Sequence, residues 1–175
     1  MNENIIPELL EEEVIQHFKI AEGSIRKRSP KILHEKGDYL NKVFNFILDD
    51  SYMCPHLHPG VEKIEKMHLI QGSFALVIFD ENGGVKETIV LEKRKKEIIA
   101  VPAFTWHTYV MLTKEVVVYE TMEGVYEPST WKKMAPWAPR ENTTEAITYL
   151  SNLKQEKSFA NLFQFCRITI RFSHA

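Results

Sequence analysis

Three of the seven histidines in this 175-residue chain fall in one stretch, CPHLHPGVEKIEKMHLIQG, which runs from Cys54 to Gly72. His56 and His58 are two residues apart, so in a strand both imidazoles point to the same face. Two neutral imidazole nitrogens that converge inside a barrel favour a divalent transition metal. The stretch therefore predicts part of a metal site.

The strand that follows this pair offers two carboxylates, Glu62 and Glu65. Glu65, Met67 and Leu69 alternate onto one face of the predicted strand, and this face is the less polar one. We expect that face to point inward, which makes Glu65 the expected ligand and Met67 a candidate to line the cavity. Glu62 stays open as an alternative ligand, if the turn is irregular, or as a catalytic base.

A third imidazole is expected from His107, which follows the turn at Pro102 and begins an apolar strand. Together with the HxH pair and a carboxylate, His107 would leave coordination positions open, and an open position distinguishes a catalytic metal site from a closed structural one. Tyr109 has the parity of His107, and Cys54 has that of the HxH pair, so both are candidates to line the cavity. A small buried thiol is the alternative for Cys54.

Seven short runs rich in Val, Ile, Phe and Tyr are predicted to be the strands that position these residues. Turn signals separate the runs, among them the Asp-Glu-Asn-Gly-Gly of residues 80–84, and no helix is predicted between them. The pattern favours an all-β core, built as an antiparallel sandwich or barrel. The predicted strands are Val43–Leu48, Lys63–Ile70, Ser73–Phe79, Val85–Leu91, Glu97–Val101, Trp106–Leu112 and Glu115–Met122.

Two helices are predicted outside this core. The first covers residues 7–20, where acidic residues suit the first turn and apolar residues repeat at helical spacing. The second covers residues 143–154, where Asn142 and Glu145 resemble a capping box. Residues 22–38 contain helix breakers and predict a loop with an edge strand.

The chain is predicted to form one domain. Its tail is open to two interpretations, a helical extension at Phe159–Phe165 and an alternating edge strand at residues 167–172. The predicted parts are an N-terminal helix and basic arm at 1–38, the barrel core at 39–125, and a C-terminal loop, helix and tail at 126–175.

The charge and the apolar content of the chain bear on which partners it binds and where it is located. The chain has 22 Lys and Arg against 24 Asp and Glu, and a net charge of −2 does not favour nucleic acid. No apolar run approaches the length of a membrane span, and the acidic N-terminus lacks the pattern of a secretory signal. Two cysteines, Cys54 and Cys166, do not make a disulfide framework, so we expect a cytoplasmic protein.

The metal-site residues resemble the two motifs of the cupin superfamily. The first motif is HxH, a spacer, Glu, six residues and Gly, and here Glu65 and Gly72 have the six-residue spacing. The spacer before Glu65 is about two residues longer than usual. The second motif, PxGxxHxxxN, corresponds to Pro102 through His107, with Phe104 in place of its glycine and Met111 in place of its asparagine.

A narrower resemblance is to the WbuC-type cupin-fold metalloproteins. It covers about residues 40–155 and rests on six segments in order, HLHPG, LVIFDENGGV, VPAFTWHTYV, ETMEGVYEP, APWAP and TTEAITYL. The resemblance implies a single-domain cupin jelly-roll β-barrel with an N-terminal and a C-terminal helix, and a link to bacterial surface-polysaccharide gene sets. It also implies one divalent transition metal, either zinc, iron, manganese or nickel, with His56, His58, Glu65 and His107 as the matching ligands.

Three functions fit these expectations. The first is a metal-dependent isomerase or epimerase of a sugar or nucleotide-sugar. Its proton carrier would be Glu62, or whichever of Glu62 and Glu65 is not a ligand, or Tyr109, and Arg26 and Arg28 would hold a phosphate or carboxylate. The second is an iron-dependent dioxygenase, which a metal-facing Cys54 would support. The third is a non-catalytic, metal-dependent small-molecule binding barrel. The family also leads us to expect a homodimer, for which the apolar run Val116–Tyr119 would suit a shared sheet.

Overall fold

The computed structural model describes residues 6–155, which form ten strands and two helices. The helices are α1 (Glu11–Gly23) and α2 (Thr144–Gln155). The strands are β1 (Arg28–Ile32), β2 (Leu40–Leu48), β3 (His56–Leu57), β4 (Glu65–Gln71), β5 (Ser73–Phe79), β6 (Val85–Glu92), β7 (Ile98–Val101), β8 (His107–Met111), β9 (Glu115–Glu123) and β10 (Lys133–Met134).

The strands hydrogen-bond into two antiparallel sheets of five strands each. The first sheet has the order β1-β2-β9-β4-β7 and the second has the order β10-β3-β8-β5-β6. Among residues 6–155, hydrogen bonding does not close these sheets into the single barrel that the family resemblance implied, and the two sheets agree with the sandwich that the strand pattern also allowed. The chain changes sheet at Gly72, between β4 and β5, so the two sheets are layers of a sandwich rather than parts of one continuous ladder.

The main core lies between the two sheets. Met67 and Leu69 of β4 pack there with Leu76 of β5 and Val118 of β9, and all four side chains are buried. Period-two alternation places every second residue of each strand in this layer. The prediction that Glu65, Met67 and Leu69 share the inward face of one strand is confirmed, because the residues between them are more exposed.

Helix α1 covers the outer face of the first sheet. Phe18 meets the edge of the Phe46 ring, with 5.7 Å between ring centroids, and Val117 and Tyr119 pack in the same cluster. The run predicted for a dimer sheet is therefore buried within the chain. The helix begins at Glu11 rather than near Pro7, because Glu13 accepts a hydrogen bond from the Leu10 N–H at 3.1 Å and so caps the first turn there.

Helix α2 covers the outer face of the second sheet with Ala146, Leu150 and Leu153. Its N-cap is Thr143, whose Oγ1 accepts a hydrogen bond from the Ala146 N–H at 3.2 Å. Asn142, the predicted cap, has φ of 64° and lies outside the helix. Neither helix among residues 6–155 is long and apolar enough to cross a membrane.

Most predicted strands match the structure to within one or two residues at each end, and β5 matches at both ends. Strand β2 begins three residues earlier than predicted, and the two-residue strands β3 and β10 were not predicted. The helix or strand expected within residues 159–172 lies outside the described part of the chain.

Gly72 provides a test of the turn between the sheets. Its φ is +78°, and a Cβ there would collide with Glu115 O and would lie 2.5 Å from Thr113 Oγ1. We expect Gly72→Ala to lower the free energy of unfolding, measured by urea denaturation, by about 3 kcal/mol, since both strain and collision oppose it. Gly37→Ala is the control, because φ is +97° there but no atom lies within 4 Å, and strain alone should cost about 1 kcal/mol. Equal losses in the two variants would contradict the proposed collision.

Candidate metal centre

Four buried side chains meet where the two sheets approach each other. His56 on β3 lies directly opposite His107 on β8 in the second sheet, and Glu65 begins β4 in the first sheet. With His58, just after β3, they offer three imidazole nitrogens and one carboxylate oxygen that all lie within 4.8 Å of one another. The structure thus brings together the four residues expected to bind the metal.

The backbone fixes the tautomer of each imidazole. Every Nδ1 in the cluster lies at hydrogen-bond distance from a backbone carbonyl oxygen, which can only accept, so each Nδ1 carries a proton. In a neutral ring Nε2 is then a bare lone pair, and it points into the cluster. The three bonds are His56 to Cys54 O at 3.0 Å, His58 to Trp131 O at 2.8 Å and His107 to Thr105 O at 2.8 Å.

These lone pairs converge on the carboxylate. His107 Nε2 lies 3.0 Å and His58 Nε2 lies 3.7 Å from Glu65 Oε2. Among the described residues, His58 Nε2 is buried without a hydrogen-bond partner. Acceptors that face one another in a buried site are unfavourable unless a cation or proton lies between them. A divalent metal would satisfy all four atoms at once, so the residues present fit the expected group.

The protonation states suit metal binding. Burial opposes ionisation of Glu65, yet the contacts with His107 and His58 outweigh it and hold the pKa of this carboxyl well below its usual range. Burial lowers the pKa of His56 well below its usual value, so its ring is neutral. The Tyr109 hydroxyl donates to Glu65 Oε1 at 2.8 Å and orients the carboxylate. A set of three imidazoles and one carboxylate suits iron, zinc, manganese or nickel.

A cavity of about 360 Å³ opens over this cluster between the first sheet and the segment that leads into β10. Its wall includes the HxH pair and Glu65, so a metal held there would face the cavity. Polar side chains in the rest of its lining include those of Arg26, Arg28, Asn45, Tyr109, Glu120 and Lys132.

Glu120 is a cavity residue that the sequence analysis missed. It lies on β9 and contacts both Asn45 and Glu65, while its Oε1 has no hydrogen-bond partner among residues 6–155. Burial and the charge of Glu65 raise the pKa of Glu120 to about 8. The signal was present in the sequence, because Glu120 shares the inward parity of Val116 and Val118 in a strand that was correctly predicted.

Lys132 also lines the cavity, and no periodic pattern could have revealed it. It lies in the irregular segment between β9 and β10, which folds back over the cluster so that Trp131 O reaches His58. The position of Lys132 therefore depends on the tertiary course of a loop rather than on spacing.

The remaining predicted residues lie elsewhere or have other partners. Cys54 packs in the core under α2, and Met67 packs between the sheets, so neither is among the residues that line the cavity. Glu62 borders a separate, smaller depression beside Glu123.

The two predicted arginines reach the cavity but share one carboxylate. Arg28 binds both oxygens of Glu141, at 2.6 and 2.7 Å, and Arg26 Nε binds the same group at 3.0 Å. Arg28 also donates to Ser51 Oγ and Tyr52 O, so its guanidinium is occupied within the protein. Arg28 thus ties the start of β1 to the segment before α2.

Comparisons with known proteins find one matching family and several solved structures with a similar fold. Residues 9–91 match a family described as a domain of unknown function, DUF6016. No curated protein matches the chain.

Similar solved structures include three proteins of low sequence identity. A protein from Shewanella oneidensis is 11% identical, with a TM-score of 0.48 over 61% of this chain and 68% of that chain. The cupin domain of Cnp3 from Schizosaccharomyces pombe is 15% identical, with a TM-score of 0.44 over 56% of this chain and 65% of that chain. Oxalate decarboxylase from Bacillus subtilis is 16% identical, with a TM-score of 0.45 over 61% of this chain and 30% of that chain. These likenesses support no functional assignment by themselves.

The metal content of two histidine variants tests the centre. His58→Ala removes a ligand, and we expect metal affinity to fall at least about 100-fold, since the loss of even an outer hydrogen-bond partner costs about 10- to 100-fold. His68→Ala is the matched control, because His68 lies on β4 but faces outward against Tyr119, and it should bind metal like the wild type. Mass-spectrometric metal analysis after loading with iron, manganese, nickel or zinc is the measurement. A wild type that retains none of these metals would rule out the centre.

Proposed function

We propose that this protein is a metal-binding cupin of the WbuC type that isomerises or epimerises a sugar or nucleotide-sugar. The observation that carries the proposal is a carboxyl with a free oxygen, Glu120, on the wall of the same cavity that the metal ligands face. A metal centre beside an unoccupied proton carrier is what proton transfer next to a carbonyl requires.

Each residue has a distinct part in this reaction. A divalent metal, when bound, supplies Lewis-acid stabilisation of the charge that develops on a substrate oxygen. Glu120 Oε1 takes up or returns the proton of a substrate carbon, since no other described group engages that oxygen. The Tyr109 hydroxyl donates to Glu65 and orients it, which favours Glu120 over Tyr109 as the proton carrier. Glu62, bordering a different depression, has no place in the reaction.

The dioxygenase hypothesis has no residue of its own in this site, because Cys54 packs in the core away from the cavity. The binding-protein hypothesis uses the same cavity without Glu120 as a base. Bacterial surface-polysaccharide biosynthesis is the setting that the sequence resemblance suggests for the enzyme, and a homodimer is the assembly it suggests.

Deuterium exchange tests the proposal directly. Metal-loaded protein is incubated in D₂O with a panel of sugars and nucleotide-sugars, and carbon-bound deuterium is measured by NMR. We expect exchange with the wild type and a loss of at least about 100-fold with Glu120→Gln, the usual contribution of a general base. Glu123→Gln is the control, since Glu123 lies on the same strand outside this cavity and should leave exchange unchanged.

Other outcomes would assign the site differently. Exchange that Glu120→Gln leaves intact would remove this residue from the reaction. Oxygen uptake by the iron-loaded protein, without exchange, would favour the dioxygenase. A ligand that co-purifies unchanged and shows neither reaction would favour the binding protein. Metal analysis of Glu120→Gln must show the wild-type content, so that a lost metal is not mistaken for a lost base.

A further inference from the structure

Three basic side chains line the cavity, Arg26, Arg28 and Lys132, and their partners differ. Arg28 gives both terminal nitrogens to Glu141, Ser51 and Tyr52, as described above. Arg26 gives Nε to Glu141 and has a half-exposed side chain. Glu141 forms ion pairs with both arginines and, among the described residues, with no third cation.

Lys132 is that third cation. Among residues 6–155, its ammonium forms neither a hydrogen bond nor an ion pair within 4 Å, and its half-buried side chain lines the cavity wall. The charges of Glu65 and Glu141 favour the ammonium from a distance, and those of Arg26 and Arg28 oppose it. A half-buried ammonium without a bonded partner attracts negative charge, so the cavity favours an anion beside it.

A metal would increase this need for an anion. Among the negative groups, Glu65 interacts most strongly with the charge of Lys132. In the metal-bound protein the charge of Glu65 is shared with the ion. Glu141 is already paired with Arg26 and Arg28. Lys132 and the metal ion then give the cavity more positive than negative charge. Electrostatics therefore favours a ligand that brings negative charge of its own.

The position of Lys132 is fixed relative to the metal ligands. Lys133 and Met134 pair with Leu57 and His56 in the register of β10 and β3, and Lys132 directly precedes this pair. The residue before it, Trp131, accepts the Nδ1–H of His58. An ammonium held on the same backbone as two metal ligands can bind one end of a molecule whose other end reaches the metal.

We infer that Lys132 is the binding residue for an oxyanion of the ligand, a carboxylate or a phosphate, with Arg26 as a second contact through the guanidinium nitrogens that Glu141 leaves free. The inference rests on the proposed function only in that a small molecule occupies this cavity. It narrows the substrate class to acidic or phosphorylated molecules that also carry oxygens for the metal, such as sugar acids, sugar phosphates or nucleotide-sugars.

Binding of simple anions tests the inference without any reaction. Inorganic phosphate and malonate are titrated by calorimetry into the wild type, metal-loaded and metal-free, at neutral pH and fixed ionic strength. We expect Lys132→Met to raise the Kd of at least one of the two anions about tenfold or more, the loss of one charge-assisted hydrogen bond, and Lys132→Arg to restore most of the affinity. The anion with the larger change identifies carboxylate or phosphate as the preferred group.

The neighbouring lysine provides the matched control. Lys133 carries the same charge one residue later, but its ammonium lies 5.9 Å from the centroid of the Trp106 ring and is not among the cavity-lining groups. Lys133→Met should leave both Kd values unchanged. Equal weakening by Lys133→Met, or no weakening by Lys132→Met in a variant with wild-type thermal unfolding, would overturn the inference. If Lys132→Met does not fold, Lys132→Gln takes its place.

The result is independent of the isomerase proposal. Anion binding that depends on Lys132, in a protein that shows no deuterium exchange, would reject the reaction and keep the oxyanion site. The opposite outcome is also distinguishable. If Lys132→Met changes neither deuterium exchange with neutral sugars nor anion binding, the reaction is kept and the oxyanion site is rejected. Binding that requires the metal and ignores Lys132 would place the anion on the metal alone.

Discussion

The site depends on one constraint, the donation of three Nδ1–H groups to backbone carbonyls. It leaves three Nε2 lone pairs facing the Glu65 carboxylate, and four acceptors cannot stabilise one another without a cation. The three carbonyls belong to separate segments, just before β3, just before β8 and just before β10. The path of each segment is therefore part of the metal centre, although none of the three supplies a ligand through its carbonyl.

Those segments are held by ordinary sheet pairing and one unusual backbone conformation. Phe104 has φ of 60° and donates its N–H to His58 O at 3.0 Å, which places Thr105 O beneath His107. A glycine would reach this positive φ without strain. Phe104 holds the conformation with a side chain, at a cost of about 1 kcal/mol or more.

Sequence patterns predicted the parts of the site that lie on regular strands. Parity alone chose Glu65 over Glu62, because β4 alternates regularly from its first residue. The same parity argument places Glu120 on the inner face of β9, although the run Val116–Tyr119 in this strand was interpreted as a dimer surface. Lys132 could not be found, since β10 has only two residues and its pairing is set by the loop before it. The separation of the strands into two sheets could not be predicted either. The turn at Gly72 places β4 and β5 in different sheets, and local periodicity does not reveal which strands pair with each other.

Metal and ligand anion should bind cooperatively in such a cavity. Without metal, the charge of Glu65 favours the ammonium of Lys132, which reduces the benefit that an incoming anion brings. With metal, that carboxylate is shared with the ion, and an oxyanion beside Lys132 meets less competition from Glu65. By thermodynamic linkage an anion that binds the loaded form better must also strengthen metal binding by the same factor. The coupling between the two ligands would then depend on the Glu65 carboxylate, which the Tyr109 hydroxyl orients through its hydrogen bond at 2.8 Å.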